Sequence, residues 1–446
     1  MNNNKYDLYD VIVIGSGLAG SEAAIISAAL GNKTLAINIS ADNPSVLKQT
    51  PEFGGIINQS ILSKINSLGG FISTAIYKNK IAQKSQKDKN TFATSYITDK
   101  RKYSLFYKYY LENQANLDFR QGLVASIEVL SEDNNKNYCV NLEDGSQFIC
   151  KAVIISVGTF LDAKIFWGNN EVRAGRHGEV NSEKFSKSLK SSGYVFKKEK
   201  IFIGPCVDKK TLNFRKLKKI KSDENYNDIY FNKLESLKDF NQSIIYQKYY
   251  SFKSQALKSE IVEAVKESSK NYKKAVYEKL VENDWNNSKL KTCKNDDLEI
   301  ELQPEGDLTG EIYLNNFNFA LSGGEQQTVL NKFHGLENAL ITRPGYCIEY
   351  DALEGKLLNI NMESSLHKNI YFAGEVNGPA SYETAALQGL MAGMTVSLNL
   401  LKNRQLLTNT DFKYLFNLLE QTIREDCILD RSGKNLKEII LQKIIN

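Results

Sequence analysis

Residues 10–22, Asp-Val-Ile-Val-Ile-Gly-Ser-Gly-Leu-Ala-Gly-Ser-Glu, set Gly15, Gly17 and Gly20 directly after an apolar run and directly before an Ala-rich stretch of helical character. Few folds accept that arrangement. A buried parallel strand ending at Ile14 would turn tightly at Gly15, bring bare backbone to a pyrophosphate at Gly17, and let the next helix pack on the sheet at Gly20. The free N–H groups and positive dipole end of that helix would then face phosphate oxygens. The acid expected about twenty residues on, for the ribose hydroxyls, is absent: the second strand, about Lys33 to Ile39, ends Ile37-Asn38-Ile39-Ser40. Asn38 is left to hydrogen-bond the ribose, and an amide is a weaker partner than a carboxylate. That departure weighs against NAD more than against a flavin dinucleotide, which a protein can grip along its whole length.

With 446 residues, 42% hydrophobic and 24% charged, the chain can bury a large core and is expected to divide into two or three domains. No uninterrupted apolar stretch of membrane-spanning length is read from the sequence, and Met1 to Lys5 lack an apolar signal core. A cytoplasmic protein without membrane association is expected. Six scattered cysteines (Cys139, Cys150, Cys206, Cys293, Cys347, Cys427) form no CxxC pair and there are three histidines, so no metal site or disulfide framework is expected. The net charge of +5 is modest. Its distribution says more: a basic run from Lys197 to Lys221 includes Lys209, Lys210, Arg215, Lys216, Lys218 and Lys219. On one face these would neutralise several nucleic-acid phosphates; in a lysine-rich composition they also read as a solvated surface.

Segment 57–115 reads as mostly helical, with Ile61, Ile65, Leu68 and Ile72 at helical spacing. Residues 122–150 alternate as strands, and Ala152 to Gly158 reads as a return to the parallel sheet. The stretch 225–292 is charged and reads as mostly helical, with Ala256, Ile261, Ala264 and Val265 on one face. A second strand–turn–helix runs from Ile370 through Gly374 into a small-residue helix from Ala385 to Met394. The expected fold class is α/β: a Rossmann-like dinucleotide-binding fold formed by 1–160 and 336–400, an inserted α/β domain at 161–335 for substrate or RNA, and a short helical C-terminal tail at 401–446.

Four blocks carry a resemblance: Tyr6-Asp7 with Val11 to Glu22; Gly54-Gly55 through Ser67-Leu68-Gly69-Gly70; Val157-Gly-Thr-Phe-Leu-Asp162; and Gly335-Leu-Glu-Asn-Ala with Arg343-Pro-Gly-Tyr346 and Tyr371 to Gly378. A fifth, Leu302-Gln-Pro-Glu-Gly306, resembles an LEPEG motif. Together they resemble the MnmG (GidA) family of FAD-dependent tRNA wobble-uridine modification proteins, and more distantly the folate- and FAD-dependent uridine methyltransferase TrmFO. The resemblance implies FAD, with contacts from Gly15, Gly17, Gly20, Asn38, Gly54, Gly55, Gly158, Thr159, Arg343, Gly374, Glu375 and Tyr382. It places Tyr346, Glu349 and Asp351, with Arg343, around the flavin's redox end. It also implies methylenetetrahydrofolate as one-carbon donor to uridine C5, NAD(P)H as a possible reductant, tRNA or rRNA as substrate, and a homodimer as one possible assembly.

Three departures shape the functional expectation. Uridine C5 is a poor nucleophile, so a cysteine thiolate is expected to add at C6, yet the loop that carries a family cysteine reads Thr50-Pro51-Glu52-Phe53-Gly54-Gly55. A later CPS-type cysteine has no counterpart. The long helical region that docks a GTPase partner in the family has no match before Asn446, so that partner is not expected. Cys206, in Gly204-Pro205-Cys206, falls where TrmFO resembles FEGCMP and is the candidate nucleophile, its pKa lowered by nearby lysines; a packing role in a loop is the alternative. Cys347 is the second candidate, beside the flavin or packed in a strand. The leading expectation is FAD-dependent modification of uridine C5 in RNA. The alternatives are a stand-alone 5-methyluridine methyltransferase and a flavin-binding oxidoreductase or regulatory protein without RNA chemistry.

Overall fold

The computed structural model describes residues 8–88, 91–130, 137–223, 249–270, 272, 297–406 and the single positions 408, 410, 413 and 417. The first strand, Leu8–Ile14, sits inside a seven-stranded sheet, flanked in parallel by Thr34–Asn38 and by Gln147–Ile155. It is apolar throughout its buried part because both faces are covered. Val11 and Val13 pack toward the helices, whereas Tyr9, Ile12 and Ile14 pack into a second cluster with Phe185 and Leu189. Leu117–Gln121 extends the sheet beyond Thr34–Asn38. The long strand Gln147–Ile155 serves two modules: its first half pairs antiparallel with the meander strand Tyr138–Leu142, and its end pairs parallel with Ile370–Phe372.

Two helices cover one face of this sheet. Leu18–Ala29 crosses Tyr382–Asn403 with the two backbones touching, since a Cβ at Gly389 would lie 1.9 Å from the Ala19 carbonyl oxygen and one at Gly393 2.7 Å from that of Ala23. By length and composition Tyr382–Asn403 is apolar enough to cross a membrane, contrary to the expectation that no segment is; 78% of its apolar window is buried inside the protein. The packing makes it a core helix.

The helical reading of 57–115 is corrected. Helices Gly55–Leu68, Ile72–Asn79 and Lys100–Asn113 are present, but Lys80–Asp88 and Thr91–Thr98 form a hairpin that pairs with Glu52–Gly54. Thr91–Thr98 is rich in β-branched and aromatic residues, and Tyr96 and Ile97 are buried.

The intervening segment builds two further sheets. Asn170–Val172, Lys164–Trp167, Tyr346–Leu353 and Phe196–Ile203 form one. The other, in the order Lys218–Lys221, Tyr249–Leu257, Asp297–Pro304, Glu311–Asn315, Cys206–Asp208, Ile341–Arg343, packs with helices Lys258–Ser268 and Gly323–Leu330 around its own core. Strand pairing therefore carries the inserted architecture past residue 335 to Leu353. Of the 225–292 reading, Tyr249–Leu257 is a strand that holds Ala256, while Ile261, Ala264 and Val265 are buried on the helix that follows. Residues 224–248 and 273–296, and nearly all of the expected tail helices, lie outside the described residues.

Candidate functional site

The first strand has its two parallel neighbours on opposite sides, so a crevice opens at the carboxyl ends of Leu8–Ile14 and Gln147–Ile155. That crevice is a cleft lined by residues from the ends of both strands and from the turns that follow them. Gly15 and Gly17 line it from the first turn, Asn38 from the second strand, Gly158 and Thr159 from the turn after Ile155, and Gly374, Glu375 and Tyr382 from the second strand–turn–helix. Eight of the residues expected to hold the cofactor thus share one cavity, although they come from positions up to 367 residues apart, the separation of Gly15 and Tyr382.

The glycines divide the work. Gly15 has φ of +92°, and a Cβ there would lie 2.5 Å from the Ser156 carbonyl oxygen. Gly20 is off the cleft: a Cβ would sit 1.8 Å from the Gly15 carbonyl oxygen, so its bareness lets helix meet turn. At Gly17 a Cβ would meet no protein atom within 4 Å. Packing does not require glycine there, and the open space beside it is the cleft. This cradle fits a pyrophosphate approaching backbone at a helix N-terminus.

Asn38 holds the turn as well as the cleft wall. Its Oδ1 accepts from the Ser16 N–H at 3.0 Å and its Nδ2 donates to the Ser40 carbonyl at 2.7 Å. The Tyr382 hydroxyl accepts from the Gln49 N–H at 2.8 Å, and burial raises that phenol well above its ordinary pKa. Thr159 Oγ1 donates to the Gly175 carbonyl at 3.1 Å.

Gly54, Gly55, Arg343 and the group around it are not among the residues that line the cleft. Gly54, with φ of +80°, donates its N–H to Glu383 at 2.6 Å, and Gly55 starts the following helix. Arg343 binds the carboxylates of Glu305 and Glu311. Asp351 is buried and paired with Lys190 at 2.6 Å and Lys198 at 2.8 Å, while the Tyr346 ring lies beside that of His177. Glu349 lies opposite Lys164 and Lys200 in strand register. Conversely, Lys48, Arg176 and Glu179 line the cleft without having been singled out. They sit in aperiodic loops, and only the Lys48–Glu375 and Arg176–Glu179 ion pairs give them meaning.

The candidate nucleophiles are packed away from the cleft. Cys206 is 5% exposed, on a strand between Tyr313 and Arg343. Burial pushes its thiol up to about 12, aided by Glu305 and opposed by Lys100 and Arg343, opposite to the lowering expected from nearby lysines. Cys347 is fully buried in its strand, against the core of the six-stranded sheet. Thr50 is tied to Gln303, which also donates to Glu52. The six basic residues are all exposed. Lys209 and Lys210 lie in a turn after strand Cys206–Asp208, whereas Lys218 and Lys219 lie on the far edge strand, four strands away, or roughly 19 Å at the usual strand spacing. Lys216 pairs with Glu337 at 2.8 Å.

Fold and cleft together define a protein with the α/β FAD-binding fold. The family model described as glucose inhibited division protein A matches residues 10–404, and the chain belongs to that family. It is 30% identical over 438 residues to "tRNA uridine 5-carboxymethylaminomethyl modification enzyme MnmG 1" of Fusobacterium nucleatum, covering 94% of this chain and 67% of that protein. It is likewise 30% identical over 427 residues to the protein named as the MnmG enzyme in Finegoldia magna, covering 93% of this chain and 66% of that one. The structure of Aquifex aeolicus GidA superposes with a TM-score of 0.77 at 28% identity, over 88% of this chain and 64% of that one. The chain thus spans about two thirds of the length of these relatives.

Proposed function

We propose that this chain binds FAD in the cleft and modifies C5 of a uridine in tRNA. The observation that carries the reading is the open space at Gly17, at a helix N-terminus and a sheet switch point, in a chain whose relatives are named as tRNA uridine modification enzymes. The turn from Gly15 to Gly17 and the helix after it hold the pyrophosphate. Asn38 lies at the ribose end, and Gly158, Thr159, Gly374, Glu375 and Tyr382 wall the remainder. When bound, the flavin supplies electron transfer and the relay of a one-carbon unit from methylenetetrahydrofolate, with NAD(P)H as reductant. The exposed lysines from Lys209 to Lys219 meet RNA phosphates, spread over a length that suits a folded RNA.

A second reading, a flavin-binding protein without cysteine-dependent RNA chemistry, is favoured by the placement of Cys206 and Cys347 in packed strands and of Thr50 in the loop before Gly54. Nucleoside mass spectrometry of tRNA and rRNA from cells with and without the gene separates the possibilities. Loss of a carboxymethylaminomethyl-type nucleoside from tRNA supports the first reading. Loss of 5-methyluridine from one RNA pool identifies a methyltransferase and its substrate RNA, and no change in either pool supports the second reading.

A further inference from the structure

Lys48 is a buried cation on the wall of the cleft, its side chain 10% exposed. Its ammonium donates to Glu375 Oε2. An ammonium carries three N–H donors, and among the described residues Glu375 is the acceptor that Lys48 Nζ meets. Its remaining donors therefore lie in a cleft wall without a protein acceptor among the described residues, and a buried donor left unmatched is costly.

The cleft has an internal order. Gly15 and Gly17 mark the pyrophosphate, and Asn38, at the end of the second strand, marks the ribose side. The other end, walled by Gly158, Gly374, Glu375 and Tyr382, is left for the ring system. The ion pair lies toward Tyr382: Lys48 holds Glu375, and the next residue, Gln49, donates its N–H to the Tyr382 hydroxyl at 2.8 Å. A flavin's pyrimidine edge presents carbonyl acceptors and gains negative charge when the ring takes up two electrons and one proton. A cation held beside that edge favours the reduced form over the oxidised one.

Resting on the cofactor reading above, we propose that Lys48 donates to the pyrimidine edge of the bound flavin, stabilises its anionic reduced form and so raises its reduction potential, with Glu375 holding the lysine in place. The balance of forces on Lys48 is consistent with a charge kept at cost. Burial, the largest influence, and the Arg176 charge hold the Lys48 pKa below its ordinary value, the Glu375 charge and hydrogen bond offsetting them only in part.

The experiment is spectroelectrochemical titration of the full chain loaded with FAD, with dithionite as reductant, together with the dissociation constant for oxidised FAD. Lys48→Met is expected to weaken binding of reduced relative to oxidised flavin about tenfold or more, which is a potential lower by about 30 mV per tenfold for a two-electron couple. Because Lys48→Met strands Glu375, the double variant Lys48→Met with Glu375→Gln removes both charges and protects the fold. A potential that stays low in the double variant supports the proposal. Return of the wild-type potential there overturns it, since Lys48 would then only neutralise Glu375, and an unchanged potential in Lys48→Met overturns it as well. If the wild-type chain takes up no FAD, the cofactor reading fails and takes this proposal with it. Uptake with an unmoved potential sinks this proposal alone.

Discussion

Gly17 and Gly20 stand three residues apart in one turn, yet alanine at each is expected to fail for opposite reasons. At Gly20 the added Cβ would lie 1.8 Å from the Gly15 carbonyl oxygen, 2.8 Å from its carbon and 2.5 Å from Ser156 Oγ. Two of these atoms are backbone of the turn itself, and the third donates to the Ile14 and Gly15 carbonyls at 3.0 and 2.8 Å. Overpacking a well-filled site costs about 1–3 kcal/mol, and disturbing the serine's hydrogen bonds adds about 1 kcal/mol. Gly20→Ala is therefore expected to lose about 2–4 kcal/mol of folding stability. At Gly17, φ of −67° and ψ of −171° suit alanine, and no protein atom lies within 4 Å of the new Cβ. The entropy removed from the unfolded chain is about 0.4–1 kcal/mol and the poorer helix cap costs about as much, so stability should stay within about 1 kcal/mol. The methyl group instead enters the cleft. FAD affinity is expected to fall about tenfold or more, at least about 1.4 kcal/mol. Urea unfolding followed by circular dichroism reads the first effect, and equilibrium dialysis of FAD reads the second. A wild-type urea midpoint in Gly20→Ala, or wild-type FAD binding in Gly17→Ala, would refute the reasoning.

Three further outcomes are expected. Cys206, buried and with its thiol pushed up to about 12, should resist iodoacetamide at neutral pH in the native protein and react after unfolding, as read by mass spectrometry; rapid native alkylation would contradict the buried placement. Asp351→Ala removes a buried carboxylate from Lys190 and Lys198, which are 44% and 43% exposed and can turn to water, and should cost about 1–3 kcal/mol. The Asp351 carboxyl is pushed up by burial and down by hydrogen bonds from Lys190, Lys198 and Ser186, with a net lowering below 3.8. Its contribution is therefore present above the unfolded pKa and lost as pH falls through the folded value, below pH 3.8; urea midpoints that do not converge between wild type and variant under such acid would oppose this. Replacing Lys209, Lys210 and Arg215 by alanine should weaken tRNA binding and make it less sensitive to salt, the slope falling by about 0.9 for each phosphate no longer neutralised. An unchanged slope in a filter-binding salt series would remove these residues from the RNA surface.

Local chemistry determined the opening of the fold. An apolar strand, a glycine turn and an Ala-rich helix have one economical arrangement, so distinct tasks for Gly15, Gly17 and Gly20 could be read from spacing, and the structure has Gly15 at positive φ in the turn, Gly20 packed against that turn and Gly17 beside open space. The second strand–turn–helix at Gly374 was legible for the same reason. The hairpin of Lys80–Asp88 and Thr91–Thr98 escaped because helical spacing on either side was extended across it. What the tertiary structure alone decided is which charges meet. Arg343 was drawn away from the cleft by Glu305 and Glu311, which arrive on other strands. Cys206 gained burial, not activation, because sheet pairing placed it between Tyr313 and Arg343. Lys48 and Glu375 are 327 residues apart, and no periodicity in a loop encodes such a partner. Backbone geometry follows from neighbours in sequence, whereas the electrostatics of a buried site depends on groups brought together only when the sheets pack.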